Sequence, residues 1–144
     1  MTTGGFLRRT LAFPFDLTLV GIVWLLGTLW LVIVYVLAAR DPLALPRLAL
    51  LAAASLGLGV TLNALYFVGF VGGCGQTPAK MLVGVRVVRR DGARVGYGRA
   101  AVRWFSYGLV VLTLGLGWVV AVLNAERRGL PDWIAGTRVV RHEA

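Results

Sequence analysis

Two long stretches of this sequence lack every charged residue and every histidine. They run from 17 to 39 and from 48 to 71, and only 15% of the whole chain is charged. A soluble domain of this length carries about 25% charge, and its buried helices rarely extend so far without a charge on any face. The first stretch has 23 residues and reaches about 35 Å as a helix, enough to cross a hydrocarbon core of about 30 Å. The missing charge therefore excludes an ordinary soluble domain and predicts two transmembrane helices.

Cysteine and histidine are also scarce. The single Cys74 excludes an internal disulfide, and the single His142 has no cysteines or histidines near it in sequence with which to hold a metal. Ser106 and Thr113 lack a histidine or lysine partner that would activate them as nucleophiles. The sequence therefore predicts no enzymatic activity, no metal and no cofactor.

The remaining pattern predicts an all-α membrane protein that forms one domain over residues 1–144. The short, proline-containing link between the first two apolar segments predicts a helical hairpin. A third hydrophobic segment, 104–123, contains three glycines and is either spanning or re-entrant. Residues 81–95 are rich in β-branched side chains and include Asp91-Gly92, a tight-turn signal, which predicts a short two-stranded β-ribbon at the membrane surface.

The distribution of basic residues predicts the orientation. The formal net charge is +9, and bases that flank apolar spans follow the positive-inside rule and contact anionic headgroups. The lipid bilayer is therefore the predicted partner, and nucleic acid is not. The link between the first two segments has only Arg40 and Arg47. The opposite flanks have eight bases: Arg8, Arg9, Lys80, Arg86, Arg89, Arg90, Arg94 and Arg99. This distribution predicts a multi-pass protein of the bacterial inner membrane with a cytosolic N-terminus.

The side on which the C-terminal tail lies depends on the third segment. If that segment re-enters, Arg127, Arg128, Arg138 and Arg141 join the cytosolic side, as the charge distribution favours. If it spans, as its hydropathy favours, these four arginines lie outside. A re-entrant segment is tolerated only where protein or water covers its backbone.

Ionisable groups at the membrane boundary are the candidate functional residues, because each is costly unless it is paired. Asp16 lies at the mouth of the first segment and Arg103 at the mouth of the third, both on the cytosolic side, where they could approach one another. Arg128 and Asp132 join them only if the tail returns. Two interpretations stay open. One is a structural ion pair that orients the helices, and the other is a carboxylate that exchanges a proton or a cation.

The opening and central parts of the sequence resemble the RDD family of small bacterial membrane proteins, named for one Arg and two Asp. The opening block Arg9-Thr-Leu-Ala-Phe-Pro-Phe-Asp16 is similar to the family's Arg and Asp at the first helix. The central block, residues 75–92, resembles the family's Gly-x-Thr-x-Gly-Lys motif and continues to Asp91-Gly92. Ala79 stands there in place of the usual Gly.

The closing part of the chain resembles the same family. Arg103 falls where the family has an Arg at the start of its last hydrophobic segment. Residues 127–140 are similar to the closing block with the second Asp, here Asp132, although Pro131 replaces the usual His. The resemblance implies a membrane location and, as for some members, transport such as cation/proton exchange. The resulting candidate charge cluster is Arg9, Asp16, Arg103, Arg128 and Asp132.

Two functions from different classes follow from these observations. The first is an oligomeric transporter of a small ion or solute, in which Asp16 and Asp132 are the exchange groups. One chain with three hydrophobic segments does not enclose a pathway alone, so this function requires a homo-oligomer. The second is a non-transporting partner or assembly subunit, which stabilises a larger membrane complex through its Gly/Ala-rich helix faces and its basic ribbon.

Overall fold

Two long antiparallel helices carry a smaller mixed unit at one end in a computed structural model of the chain. The structure describes residues 6–39, 44–113 and 130–141, with side chains described over 11–39, 44–113 and 130–140. We call residues 75–103 and 130–141 the head. The elements in chain order are α1 (Phe6–Ala38), α2 (Leu45–Cys74), α3 (Pro78–Leu82), β1 (Val85–Arg89), α4 (Gly96–Leu112), α5 (Leu130–Ile134) and β2 (Thr137–Arg141).

The predicted hairpin of two apolar helices is confirmed. Both α1 and α2 are long and apolar enough to cross a membrane. Their 33 and 30 residues correspond to about 50 and 45 Å. They extend beyond the predicted segments 17–39 and 48–71, chiefly because α1 begins at Phe6 and continues through Pro14.

The side chains of these two helices face outward. No residue is buried in the ranges 21–39 and 44–66. Leu25, Leu50 and Leu65 are 67%, 71% and 68% exposed. An apolar surface of this extent would be unfavourable in water. The outer faces of α1 and α2 are therefore suited to hydrocarbon.

Polar and small residues join α1 to α2. The Trp24 indole N–H donates to the backbone oxygen of Ser55 at 2.8 Å, and the Thr28 and Ser55 hydroxyls share a hydrogen bond of 2.8 Å. The same indole covers Gly59, where a Cβ atom would lie 2.9 Å from the ring. In lipid, where no hydrophobic effect drives helices together, close approach and such hydrogen bonds supply the association.

The prediction that residues 81–95 form a two-stranded ribbon by themselves is wrong. Strand β1 pairs antiparallel with β2, from Val85 opposite Arg141 to Arg89 opposite Thr137. Asp91-Gly92 does form a turn, with the Arg89 amide donating to the Ala93 carbonyl at 2.9 Å. However, α4 begins at Gly96, so too few residues follow the turn to make a second strand. The C-terminal tail supplies that strand instead.

A valine-rich core holds the sheet against the helices. The inner face of the sheet packs on the end of α2 and on the beginning of α4. Valine suits this position, because β-branched side chains pack well on a pleated surface. The buried cluster comprises Val71, Val85, Val87, Val95, Ala100 and Val139.

Helix α4 runs back along α2, antiparallel to it. Tyr97 lies against Gly72, where a Cβ atom would come within 2.5 Å of its ring, and the Trp104 indole N–H donates to the Asn63 side-chain oxygen at 2.7 Å. The predicted third segment, 104–123, begins inside α4. Its residues 114–123 lie outside the described residues, so the choice between spanning and re-entry stays a prediction.

Candidate functional site

Asp16 is completely buried where α1, α2 and α3 meet. The Tyr66 hydroxyl donates to its Oδ1 at 2.8 Å, and the Ala79 backbone amide donates to the same oxygen at 3.1 Å. The Thr77 hydroxyl donates to Oδ2. Three donors from two distant parts of the chain therefore converge on one carboxylate.

The central sequence block positions these donors. Gly75 ends α2 in the left-handed conformation, with φ at 75°, and its amide donates to the Val71 carbonyl at 3.0 Å. Its carbonyl accepts from the Val87 amide at 2.7 Å, while a Cβ atom at this position would lie 2.6 Å from the Val87 oxygen. Only glycine fits both the conformation and the space. The turn directs Thr77 and the start of α3 toward Asp16.

The Asp16 carboxylate is surrounded by neutral donors. Among the described side chains it makes no ion pair with Arg, Lys or His. Two of its donors are hydroxyls, which can rotate to donate or to accept, and the third is a fixed backbone amide. Oδ1 is thus held as an acceptor by the amide, whereas the Thr77 hydroxyl on Oδ2 is free to rotate.

Arg103 and Asp132 form a second buried cluster. They make an ion pair in which the side chains are 3% and 0% exposed. Arg103 Nη1 also donates to the Thr137 hydroxyl at 2.8 Å, and Nη2 donates to the Tyr107 hydroxyl at 3.1 Å. The Thr137 hydroxyl in turn donates to Asp132 at 3.3 Å. The charges of this pair are compensated by each other and by hydroxyl groups.

Three elements build the second cluster. Arg103 and Tyr107 are one turn apart on α4, so both project from the same helix face. Asp132 lies in the first turn of α5, and Thr137 is the first residue of β2. Gly136, with φ at 63°, makes the bend between α5 and β2. The ion pair therefore fastens the C-terminal tail to α4.

The structure brings only part of the predicted charge cluster together. Arg103 and Asp132 are paired, whereas Asp16 has its own set of neutral donors and no hydrogen bond to Arg103. The Phe13 ring stacks on Tyr107 of the second cluster at a ring-centroid distance of 5.8 Å, and its centroid lies 6.3 Å from that of Phe67. The Arg9 side chain and the whole of Arg128 lie outside the described part of the chain.

Four hydroxyl residues of these clusters escaped the sequence reasoning: Tyr66, Thr77, Tyr107 and Thr137. Tyr107 could have been predicted as a partner of Arg103, because it follows Arg103 by four residues in an apolar helix. Thr77 is the threonine of the central Gly-x-Thr motif, and that position could have marked it as a candidate site residue. The contact between Asp16 and Tyr66 spans 50 residues, and no local pattern encodes it. Within the described residues, no three His, Cys, Asp or Glu side chains come together as a metal site.

Comparisons with known proteins agree with the sequence resemblance. A Bacillus subtilis (strain 168) protein called "Uncharacterized protein YxaI" is 36% identical over 64 residues, a match that covers 44% of this chain and 42% of that protein. The matched stretch thus spans less than half of the relative. No solved structure matches the chain. The model of the RDD family matches residues 3–136, a range that includes Asp16, Arg103 and Asp132, and the chain belongs to the RDD family.

Proposed function

We propose that this protein is an oligomeric membrane transporter of a small ion or solute, and that Asp16 is the group that exchanges a proton for a cation. The observation that carries the proposal is the complete burial of the Asp16 carboxylate among neutral donors. An ionisable residue at membrane depth is costly and marks a functional site by default. Asp16 has no described counter-ion, so a proton or a mobile cation is the natural partner for its charge.

The donors of Asp16 suit two states of the carboxylate. In the charged state, the hydroxyls of Tyr66 and Thr77 both donate to it. In the protonated state, the proton occupies Oδ2 and is donated to the Thr77 oxygen, whose hydroxyl rotates. The Ala79 amide continues to donate to Oδ1 throughout. The site can therefore change its charge without a rearrangement of the backbone.

Asp132 is assigned a structural role in this proposal rather than the exchange role that its sequence position suggested. Its carboxylate is paired with Arg103, and removal of either partner of a buried ion pair leaves an uncompensated charge. The pair also supports re-entry of the third segment. A single crossing between residues 103 and 132 would separate them by about 30 Å, yet they are in contact.

The pairing of β1 with β2 also supports the proposed topology. With β2 paired to β1, Arg138 and Arg141 of the tail lie beside the bases of β1. The positive-inside rule then favours a multi-pass protein of the inner membrane with its N-terminus and head in the cytosol. Transport by so small a chain requires several copies, whose outward apolar helices would line the contacts between subunits. Catalysis has no part in this function.

The second candidate is a non-transporting partner or assembly subunit. It is favoured by two glycines of α2, Gly57 and Gly69, since nothing lies within 4 Å of a Cβ atom placed on either. Small residues on a free face allow another helix to approach closely in lipid. In this function Asp16 serves only to cap α3 and to hold α1 against α2.

Ion flux separates the two candidates. The protein is reconstituted in liposomes, and proton movement is followed under an imposed sodium or potassium gradient. Asp16→Asn keeps an acceptor oxygen for Tyr66 and Ala79 but removes the charge, so the variant is expected to fold and to lose coupled flux. Thr18→Val is the matched control on α1, because Thr18 is exposed and bonds only to the Pro14 carbonyl of its own helix at 2.8 Å.

Each result has a defined meaning. Loss of flux in Asp16→Asn with flux retained in Thr18→Val supports exchange at Asp16. Undiminished flux in a well-folded Asp16→Asn contradicts it. If the wild-type protein carries no flux but co-purifies with a defined membrane complex that Gly57→Leu or Gly69→Leu disrupts, the assembly function replaces the transport function.

A further inference from the structure

A basic cleft opens on the head, away from both buried clusters. It has a volume of about 610 Å³ and lies between the end of β1, the beginning of α4 and helix α5. Its polar lining consists of Arg89, Arg90, Asp91 and Arg99, and its apolar lining includes Trp133 and Ile134. Neither buried cluster uses any of these residues.

The cleft has an excess of positive charge, because three arginines line it beside a single carboxylate. Arg89 pairs with Asp91 at 3.3 Å, and Arg99 Nη1 reaches the Ala135 carbonyl at 3.5 Å. Arg90 is exposed and makes no hydrogen bond or ion pair with any described residue. The cleft thus retains donors and positive charge for an anion.

The apolar residues of the cleft lie next to these charges. Trp133 is 63% exposed and Ile134 is 43% exposed. Tryptophan is enriched at the membrane–water interface, because its indole ring has an apolar body and a polar N–H. The head itself adjoins the end of a membrane helix, since Arg86 Nε donates at 2.9 Å to the carbonyl of Cys74, the last residue of α2. The cleft therefore lies on the part of the head that adjoins the end of an apolar helix.

We propose that this cleft binds the phosphate of an anionic phospholipid. Guanidinium groups match phosphate oxygens through paired, charge-assisted hydrogen bonds. Trp133 and Ile134 would contact the glycerol and the first carbons of the acyl chains, which inorganic phosphate lacks. The inference rests on the membrane location of the protein and is independent of ion exchange at Asp16.

The test is a binding titration with the full chain in uncharged detergent. The probe is a short-chain phosphatidylglycerol that is fluorescently labelled on one acyl chain, at constant ionic strength. Arg90→Gln is expected to weaken binding about fivefold, the effect of one arginine near an anionic headgroup. Arg94→Gln is the matched control, because Arg94 is exposed nearby but does not line the cleft. It should bind as the wild type does.

A variant that is expected to bind more tightly separates a specific effect from misfolding, since a misfolded protein would not gain affinity. Asp91→Asn keeps the oxygen that accepts from the Ala93 amide at 3.0 Å and removes the only negative charge of the cleft. It should tighten binding about threefold, since the sign of the charge change is opposite to that of Arg90→Gln. Asp16→Asn should bind the lipid normally even if it abolishes flux.

Three results would overturn the inference. Equal weakening in Arg90→Gln and Arg94→Gln would indicate diffuse surface charge, and no weakening in either would exclude the cleft. Displacement of the labelled lipid by an equal concentration of inorganic phosphate would assign the cleft to free phosphate instead. Displacement by unlabelled phosphatidylglycerol but not by phosphatidylcholine or inorganic phosphate would support the anionic lipid.

Discussion

In the hairpin of α1 and α2, no residue of the ranges 21–39 and 44–66 is buried, whereas the head buries charged, polar and apolar groups together. Asp132 and Thr137 in the head are no more than 1% exposed. In the hairpin, by contrast, Trp24 meets Ser55 through a hydrogen bond at an exposed position. The two regions are thus organised against different surroundings, lipid for the hairpin and the protein itself for the head.

The difference indicates where the structure resists substitution. The hairpin depends on the bilayer for most of its burial, and its internal contacts are sparse. The head depends on the pairing of buried groups such as Arg103 and Asp132, because an unpaired one would carry a desolvation cost. We therefore expect the same type of substitution to be far more damaging in the head than in the hairpin.

The largest effect is expected from loss of the Arg103–Asp132 ion pair. Asp132→Leu leaves Arg103 buried without its counter-ion and should destabilise the protein by about 3–5 kcal/mol. The double variant Arg103→Met/Asp132→Leu removes both charges and should recover most of that loss. The measurement is denaturant unfolding in detergent, followed by a double-mutant cycle. A double variant as unstable as the sum of the single ones would contradict this interpretation of the cluster.

A smaller effect is expected at the glycine turns of the head. Gly75→Ala combines a φ of 75° with a contact of 2.6 Å to the Val87 oxygen, so it should cost about 3 kcal/mol. Gly92→Ala is the matched control, because its φ is 84° but nothing lies within 4 Å of the added atom. It should cost about 1 kcal/mol. The difference is read from the unfolding midpoints of the two variants, and equal midpoints would remove the role of the Val87 contact.

The smallest effect is expected in the hairpin. Trp24→Phe removes the hydrogen bond to Ser55, and hydrogen bonds between membrane helices contribute about 0.6 kcal/mol on average. Trp30→Phe is the control, since Trp30 is 66% exposed. Unfolding in the same detergent compares the two variants. A loss at Trp24 as large as that at Asp132 would show that the hairpin relies on internal polar contacts as strongly as the head does.

The sequence was most informative where a single property acts over many residues. Absence of charge from 17 to 39 is sufficient to predict a membrane helix, because the cost of burying charge in lipid does not depend on the neighbouring elements. Asp91-Gly92 was correctly predicted as a turn, since the conformational freedom of glycine is a local property. The strand that follows was misplaced, because any short β-branched stretch can pair with Val85–Arg89.

The candidate site shows the same division. The choice of Asp16, Arg103 and Asp132 as candidate residues followed from the position of charged residues beside apolar segments. Their partners did not, because the hydroxyl of Thr77 reaches Asp16 across 61 residues and that of Thr137 reaches Arg103 across 34. Hydroxyl residues are common in every part of a sequence, and only the packing of the helices selects which of them donate.

By itself, the sequence determined the membrane class of this protein, the two apolar helices and its membership of the RDD family. These depend on composition, length and motif order, which require no knowledge of the fold. Only the tertiary structure decided that β1 pairs with the tail, that Asp132 pairs with Arg103, and that Asp16 is held by neutral donors. The reason is that a buried polar group takes whichever partner the packing brings within hydrogen-bond distance, and that choice is made in three dimensions.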